Sequence, residues 1–116
     1  MKRLTALAAA HCAALALAAE KMPGEPIDVA LTLAPKKIHE ECARLEPGQS
    51  RKWHWKSDVP VDFNIHYHRG DDVVYPVKRA AMRGDGGTFT AKTGEDYCWM
   101  WTARGAAAKI TGKIAP

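Results

Sequence analysis

After residue 20 the apolar positions of this chain alternate with polar ones and never hold a helical period for three turns, so the sequence reads as strands. Ile27, Val29, Leu31 and Leu33 share one face of a first strand that Pro35 ends. Lys37 to Leu45 fits either a strand or a short helix, and Pro47-Gly48 is a turn. Arg51 to Lys56 places Trp53 and Trp55 on one side and Lys52, His54 and Lys56 on the other. Val61 to His68 is the clearest alternation, with Val61, Phe63, Ile65 and Tyr67 opposed to Asp62, Asn64, His66 and His68. Further strands are expected at Val73 to Lys78, Thr88 to Lys92, Glu95 to Thr102 and Lys109 to Ile114. Gly70-Asp71-Asp72 and Gly84-Asp85-Gly86-Gly87 are expected as turns between them. About seven to eight short strands at this spacing predict an all-β fold, an antiparallel β-sandwich of jelly-roll-like type. The aromatic residues all fall between Trp53 and Trp101, so that stretch should supply the core.

The first 18 residues follow a different pattern. Met1-Lys2-Arg3 precedes an Ala/Leu-rich run that ends at Ala16-Leu17-Ala18, the layout of a cleaved secretory signal. The run from Leu4 to Ala19 is short for a spanning helix and is interrupted by His11 and Cys12. The expected organisation is a signal peptide at 1–18, cleaved after Ala18 or Ala19, a flexible stretch at 19–26, and one domain at 27–116. No membrane span is expected after cleavage. The expected location is the periplasm or the extracellular space.

Removing that segment changes what charge and cysteine content imply. The 116 residues carry 17 Lys plus Arg against 13 Asp plus Glu, but Lys2 and Arg3 leave with the signal. A residual charge of about +2, spread along the chain, argues against nucleic acid as a partner. Cys12 leaves as well, so Cys42 and Cys98 remain. In an oxidising compartment such a pair reads first as a disulfide, with two separate buried thiols as the alternative.

The order of features from Cys42 onward resembles the GOLD domain, the β-sandwich of emp24/p24-type lumenal proteins. The residues that carry the resemblance are Glu41-Cys42, Leu45-Glu46-Pro47-Gly48-Gln49, Trp53-His54-Trp55, Val61-Asp62-Phe63-Asn64-Ile65, Gly87-Thr88-Phe89-Thr90-Ala91 and Gly94-Glu95-Asp96-Tyr97-Cys98. The resemblance covers about residues 27–114 and implies a Cys42–Cys98 bridge and a binding module without catalytic residues. The expectation is a sandwich standing alone, without the membrane span, coiled coil and tail of a cargo receptor, so that role does not carry over.

The sharpest local chemistry is His66-Tyr67-His68. Residues i and i+2 of a strand project from one face, so both imidazoles could reach a single metal ion. His54 as a third nitrogen would suit copper or zinc, and Met100 would suit Cu(I). The alternatives are a solvated polar face and a surface that responds to pH near neutrality. Trp53, Trp55, Trp99 and Trp101 are either core or contact aromatics. Arg69-Gly70-Asp71 and Arg83-Gly84-Asp85 read as turns rather than adhesion motifs, and Gly84-Asp85-Gly86-Gly87 lacks the Lys-Ser/Thr of a phosphate loop. Ser50 and Ser57 lie outside any nucleophile elbow. Glu40-Glu41 and Asp71-Asp72 are adjacent and would point to opposite faces of a strand, which does not make a glycosidase pair.

The expectation is therefore a non-catalytic module that binds an unknown protein or small ligand and needs no firm cofactor. A metal-binding protein using the His-x-His strand is the second reading.

Overall fold

The computed structural model describes residues 24–116, so the expected signal peptide and most of the 19–26 stretch lie outside the described residues. Six antiparallel strands follow: β1 (Ile27–Leu33), β2 (Ile38–Leu45), β3 (Ser50–Arg69), β4 (Asp72–Thr90), β5 (Glu95–Ala103) and β6 (Ala108–Ala115). The all-β fold is as expected; the strand count is lower. Arg51–Lys56 and Val61–His68 are one 20-residue strand, and Val73–Lys78 and Thr88–Lys92 fall along one 19-residue strand reaching Thr90. The Lys37–Leu45 ambiguity resolves as strand β2.

The chain through Ser57-Asp58-Val59-Pro60 looks like a break in sequence but bends without leaving the sheet. Register shifts lie between Lys56 and Val61, between Val61 and Phe63, and between Ile65 and Tyr67. Side chains hold the bend: the Ser57 hydroxyl donates to the Val59 carbonyl at 2.6 Å, and Asp58 accepts from the Lys109 amide at 2.8 Å. Asp62 accepts from the Ala81 amide at 2.9 Å and from the Arg104 guanidinium at 2.6 Å. Ala81 has φ 52°, the left-handed kink where β4 follows the bend.

The bend lets one hairpin serve two layers. Before it, β3 pairs with β6, Lys52 opposite Ala115 and Ser57 opposite Ile110, and β6 pairs with β1. After it, β3 pairs with β5, Val61 opposite Ala103 and His66 opposite Cys98, and β5 pairs with β2. Strand β4 follows β3 along its other edge on both sides of the bend. The sheet thus curls over itself into a sandwich.

Its interior is aromatic. Trp53 and Trp55 from one layer meet Phe63 from the other at ring-centroid distances of 4.9 and 5.3 Å. Trp101 completes the cluster 5.4 Å from Phe63 and edge-on to Trp55 at 6.5 Å. Tilted and edge-to-face rings are the favoured geometry for such contacts. Valine and isoleucine of β1 and β6 close one end, and Leu45, Ile65, Tyr67 and Tyr97 fill the other.

Gly84-Asp85-Gly86-Gly87, expected as a turn, is part of β4 opposite Trp53 to Lys56. Its composition has a packing cause. A Cβ on Gly84 or Gly86 would stand 3.0 Å from the carbonyl oxygen of Trp55 or Trp53, so the two strands approach closely only without side chains there. Arg83-Gly84-Asp85 accordingly lies within a strand, and only Gly70 marks the hairpin tip between β3 and β4.

Candidate functional site

Three strands meet on the outer face of the layer built from β2, β5 and the second half of β3. Cys42 stands opposite Cys98, and Cys98 opposite His66, so a single rung crosses all three. The two cysteines form the disulfide expected from sequence. The next rung holds Glu40, Met100 and Asn64 in the same order. On the far side of β3 a bulge in β4 sets both Tyr75 and Pro76 against His66: Tyr67 pairs with Val74, and Ile65 with Val77.

His66 is the buried centre of this face. It is only 3% exposed, although alternation predicts a wet position, because groups from three neighbouring strands cover it. Its Nδ1 lies 2.7 Å from Oδ1 of Asn64, and its Nε2 lies 3.2 Å from Oε1 of Glu40. The rings of His68 and Tyr75 stand at 5.3 and 5.9 Å. Burial pushes the His66 pKa below the ordinary histidine value; Glu40 opposes that shift and His68 adds to it. The cluster accommodates both protonation states. An imidazolium donates to Asn64 and Glu40, whereas a neutral ring that donates to Glu40 needs the Asn64 amide turned to offer its N–H.

The four residues considered as metal ligands do not converge. His66, His68 and Met100 share this face, but His54 belongs to the other layer, where it pairs with Lys113 and Gly86. Both ring nitrogens of His66 already have side-chain partners. Among the described residues no group of three His, Cys, Asp or Glu side chains is arranged to hold a metal ion. Among the described residues copper and zinc thus gain no site: His66 is buried with both nitrogens engaged, while His68 beside it is exposed.

The tryptophans also resolve differently from the contact reading. Trp53, Trp55, Trp99 and Trp101 are between 0% and 7% exposed, since each points into the sandwich, and none presents a contact surface. The exposed aromatic is Tyr75, 42% accessible, with Val73 at 39% two residues away on the same face. Lys78 stands over the Tyr75 ring at 4.6 Å. The patch formed by Val73, Tyr75 and exposed His68 sits on the β3–β4 hairpin beside the disulfide rung. Sequence reasoning missed Glu40 because it comes from β2, distant in the chain, and Tyr75 because only the bulged register of the β3–β4 hairpin sets it against His66.

None of the protein-family models and none of the curated proteins compared with the chain matches it. Solved structures do share its fold. One is PliG of Aeromonas hydrophila, a periplasmic inhibitor of g-type lysozyme, with TM-score 0.52 and 9% identity over 79% of this chain and 86% of that one. Another is the Yersinia pseudotuberculosis-derived mitogen, with TM-score 0.50 and 7% identity over 79% of this chain and 86% of that one. At such identities the likeness is one of fold: this chain is an all-β sandwich similar to those of a lysozyme inhibitor and a mitogen.

Proposed function

We propose that this chain is an exported, non-catalytic β-sandwich that works by binding another protein through the outer face bearing Val73, Tyr75 and His68. The observation that carries this reading is the exposed tyrosine and valine beside a disulfide-braced rung, on a hairpin that both layers hold in place. Exposed aromatic anchors on rigid elements are the usual energetic centre of protein interfaces. The signal-like first 18 residues and the Cys42–Cys98 bridge support delivery to an oxidising compartment, the periplasm in a bacterium. PliG acts on a protein partner, which supports a protein as the class of target here. The GOLD-like reading of residues 27–114 belongs to this proposal too. It rests on the order of motifs from Glu41-Cys42 to Gly94-Glu95-Asp96-Tyr97-Cys98.

The test uses the full chain with its own first 18 residues, expressed in a bacterium, with a photo-crosslinking amino acid at Tyr75 or, as control, at exposed Ala30 on β1. The expected result is a periplasmic protein that begins at Ala19 or Glu20 and a discrete protein adduct from position 75 that position 30 does not give. Retention in the cytosol with the leader attached overturns the localisation. Identical patterns from the two positions overturn the surface.

A further inference from the structure

The two layers part along the β4 side, where the two halves of that strand face each other across the interior. Phe89 and Thr90 at one end of β4 look across at Tyr67 and Pro76, and Thr93 of the loop into β5 and Tyr97 of β5 itself close the floor. The half-enclosed cleft has a volume of about 470 Å³, a size that suits a small molecule. Val73, Tyr75 and His68 are not among its lining residues, so the cleft is a site separate from the surface proposed above.

The walls are aromatic. Tyr97 meets Phe89 at 4.9 Å and Tyr67 at 5.3 Å, both edge-to-face, which leaves ring faces and edges for a further ring to pack against. Two polar groups are left to donate, Tyr67 and Lys92. Arg69 donates to the Tyr67 hydroxyl at 3.0 Å and stands 5.6 Å from that ring, so the hydroxyl keeps its own proton to give. Tyr97 spends its proton on the Thr93 carbonyl at 2.7 Å. The Thr90 hydroxyl is engaged with Ser50 at 2.7 Å. Lys92 lies at the exposed rim, and no carboxylate lines the cleft. Glu95 and Asp96 precede Tyr97 in sequence but are not among the residues that line the cleft.

Aromatic walls with a lysine, a polarised phenol and no carboxylate among the lining residues suit one chemistry. We propose that this cleft binds a small aromatic carboxylate, its ring against Phe89 and Tyr97 and its carboxylate taken by Lys92 and the Tyr67 hydroxyl. Charge-assisted hydrogen bonds fix the orientation, and the rings supply apolar contact.

The test is an amide chemical-shift titration of the disulfide-bonded protein with 4-hydroxyphenylacetate, and separately with the neutral alcohol 4-hydroxyphenylethanol. The expected result is saturable shifts centred on Thr90, Lys92, Thr93 and Tyr97, with the acid bound about tenfold more tightly than the alcohol. Lys92→Gln, at an exposed position that leaves folding intact, should remove most of that difference while leaving the alcohol unchanged. Tyr67→Phe keeps the wall and should weaken the acid alone. Absence of saturable shifts at millimolar acid, equal affinity for acid and alcohol, or indifference of the acid to Lys92→Gln would each overturn the proposal.

Discussion

Gly112 of β6 sits directly opposite Trp55 of β3, so close that a methyl group on it would come within 2.8 Å of the tryptophan Cβ. The His54 carbonyl crowds the same point. The contact fixes how near the β1–β6 pair can approach the bent hairpin, and hence how deep Trp55 enters the aromatic core.

Gly112→Ala should therefore destabilise the fold by about 1–3 kcal/mol, the usual cost of forcing atoms into a packed interior. Gly105→Ala is the control, since a Cβ there meets nothing within 4 Å. Urea midpoints of the two variants, compared at equal m-value, check the expectation. Equal midpoints would mean that β6 moves aside freely.

The Cys42–Cys98 bridge joins residues 56 apart in sequence. In the loop-entropy account, closing a loop of that length contributes about 4 kcal/mol by constraining the unfolded chain. The double variant Cys42→Ala/Cys98→Ala should lose stability of that order while keeping its far-ultraviolet spectrum at low temperature. A loss below about 1 kcal/mol would show that the unbridged unfolded chain is already compact.

His66 gives stability a defined pH dependence. Burial holds its folded-state pKa below the ordinary 6.5, so as the pH falls through 6.5 the unfolded chain takes up a proton that the folded chain resists. Stability is full above that value, declines as the pH falls through it, and stops declining on this account below the folded pKa. Glu40 and His68, the charged or titratable groups nearest the ring, set the depth of the decline with opposite signs. His66→Gln should flatten this part of the profile. Urea unfolding of wild type and variant between about pH 8 and pH 5.5 measures it, and parallel profiles would remove His66 as the cause.

The strands and the core were legible because alternation is local: Val61, Phe63, Ile65 and Tyr67 point inward as their spacing predicts, and Cys42 finds Cys98. What was not legible depends on neighbours. Asn64 and His66 occupy polar positions of the alternation yet are buried, because β2 supplies Glu40 and β4 supplies Tyr75 over them. Ser57 to Pro60 carries the residues of a turn but serves as a bend, since Asp58 and Asp62 bond to other strands there. Gly84 to Gly87 has turn composition for an unrelated reason, the close approach of two backbones. The cleft was invisible for the same cause: Tyr67, Phe89 and Tyr97 meet only when the hairpin has curled.

The pairing of β1 with β6 sets a timetable for the chain. Ile27 has no partner until Ile114 has been made, so the earliest described strand to be synthesised waits for the latest. The β3–β4 hairpin can assemble from local contacts in the meantime, but the layer it shares with β1 and β6 stays open, its tryptophans uncovered. Such long-range closure makes for slow folding and a window of vulnerability to aggregation. The sandwich therefore closes only when its first and last described strands meet.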